Sequence, residues 1–182
     1  MQLSIVGWPE EARIIRCDFI ARLFLLQLLF AGASNACDLR EPVGKVILTF
    51  DGEIDACNAD RKVELDRAMI EALPLSEVRT RNPWEHGQVA YQGVLLRDLL
   101  RYVKARGKTL EISALNDFHT EISVRDAEKF NILLAYRREG VDLTMRDKGP
   151  FFVVFPFSDN SKLETEKRFT QSIWQVSHIS VK

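Results

Sequence analysis

From Gly44 to the C-terminus the chain is dominated by short β-branched and aromatic runs, too brief for core helices and too numerous for a helical bundle. "KVILTFDGEI" is bounded by Gly44 and Gly52, and "TLEISAL", "FHTEISV", "NILLAYRR", "FFVVFPF" and "WQVSHISV" follow. Each reads as a strand because β-branched and aromatic side chains fit a pleated, half-buried surface. Two segments break the pattern with helical spacing. "LDRAMIEALP" puts Ala68, Met69, Ala72 and Leu73 on one face, with Asp66 as N-cap and Pro74 as stop. "VLLRDLLRYVKARG" repeats Leu95, Leu96, Leu99, Leu100 and Val103 and ends at Gly107, and "VRDAEKF" supplies one or two further turns. The expectation is one α+β domain on a mixed or antiparallel sheet with short helices. No glycine-rich phosphate loop follows a strand, which disfavours a dinucleotide fold.

Residues 1–36 have a different character. Arg13, Arg16 and Arg22 precede "LFLLQLLFAGASNA", an apolar run short for a bilayer span and followed by small residues. The pattern predicts an export signal cleaved after Ala36, so that residues 37–182 form the mature domain, periplasmic in location. Cleavage after Ala33, an uncleaved anchor and a lipidated Cys37 are the alternatives. Glu10, Glu11 and Asp18 are unusual ahead of such a signal and fit a translation start placed too far upstream. Cleavage would remove Cys17 and leave Cys37 and Cys57, able either to form one disulfide in an oxidising compartment or to stay as thiols. The 25 Lys+Arg against 26 Asp+Glu form no polybasic run, which argues against nucleic acid as a partner.

The order of segments then carries a resemblance. A strand, the tryptophan turn "TRNPWEHG", "YQGVLLRDLL", a strand ending "LND", the "LLAY…G…L…GP…VVFP" spacing and a Ser-x-Trp before the last strand resemble the molybdopterin-binding domain of sulfite-oxidase-like proteins over about Gly44 to Lys182. Within that group the chain is most similar to small exported members that bind a pterin without metal. The resemblance implies a sulfite-oxidase-like molybdopterin-binding fold with a pterin pocket at the edge of its sheet. In catalytic members a cysteine thiolate shortly before the tryptophan turn holds molybdenum, a task suited to soft anionic sulfur. Here that stretch reads Val78, Arg79, Thr80, Arg81, Asn82, Pro83. Lysines that meet the cofactor phosphate around Ser-x-Trp are also altered, with Gln171 and Ile173 flanking Ser172 and Lys167 and Arg168 just before. The expected ligand is therefore an unmetallated pterin, neopterin-like or in a tetrahydro form, without molybdenum.

A pterin needs an aromatic face and polar groups complementary to its edge. Trp84 is the candidate face, Asn116 or Asp117 the acceptor for the 2-amino edge, and Arg81 or Arg146 the donor to the 4-oxo group. Thr80, Phe118, Tyr136, Arg168, Ser172 and Trp174 complete the candidate pocket. Structural alternatives stand beside these roles. Trp84 and Trp174 are also suited to the core, "LNDF" and "RDKGP" to turns, and Tyr136 to a core position with its hydroxyl at a pocket wall. His86, His119 and His178 show no metal-ligand spacing, and no serine or cysteine pairs with a histidine in a nucleophile context. Three functions remain open: a non-catalytic pterin sensor signalling to the periplasmic domain of a membrane enzyme of cyclic-di-GMP turnover, a molybdopterin-dependent oxidoreductase acting on a small sulfur or oxo compound, or a protein–protein module with a vestigial pocket.

Overall fold

The structure is a computed structural model that describes residues 37–182, which cluster as one compact unit. The segment expected to be an export signal, residues 1–36, and the expected cleavage after Ala36 lie outside the described residues. Two sheets carry the unit. The first has the order β2-β1-β10-β5-β6, from β1 (Leu48–Gly52), β2 (Val63–Leu65), β5 (Thr109–Ala114), β6 (His119–Ser123) and β10 (Val176–Val181). Its β1–β10 pair is parallel and its other pairs antiparallel. The second runs β3-β4-β7-β8, from β3 (Ser76–Thr80), β4 (Val89–Leu95), β7 (Leu133–Arg138) and β8 (Val141–Asp142), with β9 (Phe152–Val154) also paired to β7. The expected α+β class with few helices holds; the expected single sheet is two.

Four short helices connect them: α1 (Arg67–Glu71), α2 (Leu96–Tyr102), α3 (Val124–Lys129) and α4 (Glu166–Gln171). Asp66 caps α1 as expected, its carboxylate accepting from Met69 N at 2.9 Å and also from Val43 N and Gly44 N. The leucine-rich helix is shorter than its periodicity suggested. Leu95 pairs with Leu133 as the last residue of β4, so extended backbone wins there over helical spacing. At the other end Lys104 adopts a left-handed φ of 53°, and Ala105 N bonds back to Leu100 O at 2.9 Å, stopping the helix before Gly107.

The main core lies along the first sheet, α2 and one face of the second sheet, with Leu99, Val103, Leu110, Ile112, Tyr136 and Ile179 among its buried members. Truncating one such leucine to alanine costs about 2–5 kcal/mol in comparable cores. A second cluster of Tyr91, Leu95, Leu133, Ala135 and Phe152 occupies the other face of the second sheet. Gly93 permits that sheet to close. A Cβ there would sit 2.1 Å from Leu134 O, where the β4–β7 register shifts between Gln92 and Gly93. Cys37 and Cys57 are joined in a disulfide across 20 positions, which ties the start of the unit to the β1–β2 connection. Among the described residues no helix is long and apolar enough to cross a membrane.

Candidate functional site

Proline and an Asx turn fix the tryptophan loop after β3. Asn82 Oδ1 accepts from Trp84 N at 3.0 Å, while its amide donates to the hydroxyl of the buried Tyr91 at 3.0 Å. Glu85 then clamps the loop to the second sheet, accepting from Arg138 and Lys148 at 2.9 Å each. Partial burial works to raise the Glu85 pKa, but Lys148 and Arg138 outweigh it and hold the carboxyl below its ordinary value. Lys148 Nζ in turn lies 5.9 Å from the Trp84 ring centroid and 5.6 Å from that of Phe152.

Held this way, the Trp84 indole stands edge-on to three rings: Trp174 at 5.7 Å, Phe152 at 6.1 Å and Phe169 at 6.4 Å between centroids. Beside them opens a cavity of about 330 Å³ lined by Trp84, Trp174, Phe169, Phe118, Ala114 and Ile173, with Asn116, Thr170 and Ser172 as its polar members. That volume lies at the small end of ligand pockets, and the apolar walls with few polar fixtures are their usual construction. The polar members have a consistent chemistry. Thr170 and Ser172 give their hydroxyl hydrogens to the carbonyls of Glu166 and Arg168, at 3.1 and 3.0 Å, so each oxygen is left as an acceptor. Asn116 Oδ1 accepts only a long 3.3 Å bond from Phe118 N.

Backbone strain gathers at the same place. Asp117, Lys148 and Gln175 all have left-handed φ, at 64°, 69° and 57°. They are linked, since Leu115 N bonds Gln175 O at 3.0 Å and Gln175 N bonds Lys148 O at 3.2 Å. Non-glycine residues hold such angles only where their surroundings fix them, and these positions cluster at binding sites more often than elsewhere.

Five sequence-predicted residues, Trp84, Asn116, Phe118, Ser172 and Trp174, therefore share one cavity, although they come from three separate stretches of chain. The other six do not line it. Asp117 occupies the turn beside Asn116, with its N–H bonded to Ala114 O. Arg81 lines a neighbouring depression of about 280 Å³ with Asn82, Pro83 and Phe157. Arg146 is exposed on the 3-10 turn Met145–Asp147. Tyr136 is buried in the main core with the Arg67 and Arg137 guanidinium groups 4.5 and 5.3 Å from its ring. Arg168 is tied to Asp126 and Gln171 at 2.8 Å each. Thr80 is fully buried, its hydroxyl donating to Arg81 O and accepting from Ser158 N, both at 3.1 Å. Phe169, Thr170, Ile173 and Ala114 were not expected, nor were Glu85 and Lys148 as supports.

The donor set bears on which cofactor these residues fit. The described residues contain two cysteines, both in the disulfide, and no grouping of three metal-binding side chains. At the tryptophan loop the Thr80 hydroxyl is already spent on backbone partners. Thiolate-held molybdenum has no ligand there, whereas the aromatic walls and acceptor oxygens fit a flat heterocycle with a donor edge.

No protein-family profile matches the chain, and no curated protein matches it. Among solved structures, the sulfane dehydrogenase SoxCD from Paracoccus pantotrophus superposes with a TM-score of 0.56 at 15% identity, over 74% of this chain and 37% of that one. The chain thus spans well under half of that protein's length, and the likeness shows a shared fold. The expected α+β class is consistent with that likeness, which is one of fold alone.

Proposed function

We propose that this domain is a non-catalytic, periplasmic binding protein for an unmetallated pterin, neopterin-like or tetrahydro, which reports pterin status to the periplasmic part of a membrane enzyme of cyclic-di-GMP turnover. The observation that carries the ligand half is the Trp84 cavity, with its aromatic walls and acceptor oxygens from Thr170, Ser172 and Asn116. A pterin's 2-amino group and ring N–H are donors and would face those acceptors, while its bicycle would lie against an indole. The absence of any free thiol among the described residues favours this over the oxidoreductase alternative, which would need a different metal ligand.

Two further features support the relay and the location. Trp84, Phe118 and Trp174 are 36%, 47% and 37% exposed at the cavity, with exposed Leu115 in the same turn as Phe118. Apolar groups clustered at a mouth suit contact with another protein, which would then sense whether the cavity is filled. The Cys37–Cys57 bridge suits an oxidising compartment.

The test is to recover the full-length product from periplasm, sequence its N-terminus, assay molybdenum and record emission of the released ligand. A chain beginning at Cys37, blue pterin emission and saturable neopterin binding are expected. Stoichiometric molybdenum with turnover of sulfite or a sulfoxide would replace the proposal by the oxidoreductase, and an intact N-terminus in soluble cytoplasm would remove export.

A further inference from the structure

A strand at the edge of a sheet leaves a row of backbone N–H and C=O groups without partners, and the chain itself closes most of its own edges. Along β2 the side-chain amide of Asn58 accepts from Glu64 N at 2.7 Å and donates to Glu64 O at 2.8 Å. On β6 the carbonyl of Glu121 accepts from Gln171. Val153 N on β9 bonds Ile173 O at 2.8 Å, and β8 is only 2 residues long. The remaining edge is β3, 5 residues long, where nothing among the described residues bonds the backbone groups of Glu77 or Arg79 on the side away from β4.

The neighbouring strand decides which groups of β3 face that open edge. Ala90 on β4 lies opposite Arg79; its N–H donates to Glu139 Oε1 at 2.7 Å and its C=O accepts from Glu139 N at 2.8 Å. Both groups therefore point away from β3. Opposite residues of an antiparallel pair either exchange both bonds or turn both away, so Arg79 presents its N–H and C=O to the open edge, and Glu77 does the same two residues earlier. The opening ends at Arg81, whose N–H is bonded to Ser158 Oγ at 2.9 Å. Along it the side chains alternate: Val78 and Thr80 are buried, whereas Glu77 and Arg79 are exposed and 3.5 Å apart on one face, with Gln92 donating to Glu77.

We infer that β3 docks against β3 of a second copy of this chain, antiparallel about a two-fold axis at Val78. Charge identifies the occupant. In that register Glu77 lies opposite the partner's Arg79 and Arg79 opposite the partner's Glu77, so the edge is complementary to itself. The same register sets the open backbone groups of residues 77 and 79 against one another, each pair exchanging two hydrogen bonds. A slip of one residue turns these groups away from each other, and a slip of two sets Glu77 against the partner's Glu77 or Arg79 against the partner's Arg79. Charges on an edge strand usually deter pairing, but here their order favours one register with its own copy. With 5 residues a side the contact is at the small end of specific interfaces, which makes the dimer weak and concentration-dependent. No residue of Ser76–Thr80 lines the Trp84 cavity, so the contact does not depend on the pterin proposal and its failure would leave that proposal standing.

Sedimentation equilibrium of the purified product of the full-length gene tests this, and the dimer fraction should rise with concentration. Glu77→Arg and Arg79→Glu each set like charges opposite one another twice, and each should weaken self-association about thirtyfold. Thermal unfolding of either variant should change little, since both side chains are exposed. Mixed in equal amounts, the two variants should pair with each other, because an edge with two basic groups then meets an edge with two acidic ones. Glu77→Arg combined with Arg79→Glu restores the complementary order and should dimerise like the wild type. A protein that stays monomeric up to a concentration on the order of 1 mM overturns the inference. So does a dimer that neither single variant weakens, or single variants that weaken it while neither their mixture nor the double variant recovers it.

Discussion

Trp84→Ala separates a ligand wall from a core plug, because the indole has both kinds of neighbour. On the protein side it makes three edge contacts, to Phe152, Phe169 and Trp174. Each aromatic pair adds about 0.5–1.5 kcal/mol beyond burial, but the three share one ring and do not sum freely. With 36% of the residue exposed, a folding cost of about 2 kcal/mol is expected. On the ligand side, removing a stacking wall from an apolar pocket has the scale of an interface hot spot, about 2–4 kcal/mol. That corresponds to roughly thirty- to thousandfold weaker binding. Calorimetric titration with neopterin on the folded variant, beside its thermal unfolding curve, reads the two costs separately. Asn116→Ala guards against a poorly folded Trp84→Ala, since Asn116 is exposed and its one protein bond is long. It should weaken neopterin by about 1 kcal/mol with little change in stability. Unchanged affinity in both variants would refute the placement of the site, and a purely thermal effect of Trp84→Ala would return that indole to the core.

Three further outcomes follow from the packing. Glu85→Gln keeps the volume but removes the charge that Arg138 and Lys148 share, and should cost about 1 kcal/mol at neutral pH by chemical denaturation. Because the Glu85 pKa is lowered by folding, its contribution is complete above the ordinary value of 4.5 and fades as pH falls through the folded value, so wild type and variant should converge in acid. Thr80→Val leaves Ser158 N without its partner in a partly buried setting and should cost about 1 kcal/mol, read as a shift in denaturation midpoint without a change in slope. Asp66→Ala removes the acceptor of Gly44, Met69 and Val43 N–H groups, which hold that carboxyl below its ordinary 3.8, so the variant should be less stable above that pH and lose its deficit below it. A pH-independent difference in unfolding midpoint would count against both acid predictions.

Legibility followed burial pattern. Strands with one buried face, such as Thr109–Ala114, alternate in sequence and are recognisable without the structure. β4 is not, because it is buried on both faces apart from Gln92 and runs directly into the leucines of α2, so two periods merge. β3 escapes for the opposite reason, with only Val78 and Thr80 buried among exposed Glu77 and Arg79. Missing these two strands is what reduced two sheets to one. Among site residues, Trp84, Asn116 and Phe118 stand out because turn chemistry places aromatic and amide groups at loop tips, whereas Phe169 is the one large apolar residue in "EKRFTQ" and gives no period to read. Arg168 looked like a ligand group because its partner Asp126 lies 42 positions away, beyond any local pattern.

What the sequence could not display at all is the linkage between the loops around the cavity. Gln175 joins the Leu115 turn to the Lys148 turn through its backbone, and its side-chain amide reaches Met145 O at 2.9 Å. Asn82 and Glu85 fix the tryptophan loop to Tyr91, Arg138 and Lys148 in the same way. Three connections far apart in sequence thus immobilise one another before any ligand arrives. A cavity assembled in that manner spares an entering heterocycle the cost of ordering its walls, about 0.5–1.5 kcal/mol for each side chain otherwise left free. A small pocket with few polar fixtures gains selectively from such pre-organisation, because its affinity must come from shape and stacking and little from charge. The same rigidity makes occupancy visible outside. With the walls held by these bonds, a ligand filling the space beside Trp84, Phe118 and Trp174 would change the surface offered at the mouth, as the proposed sensor role requires.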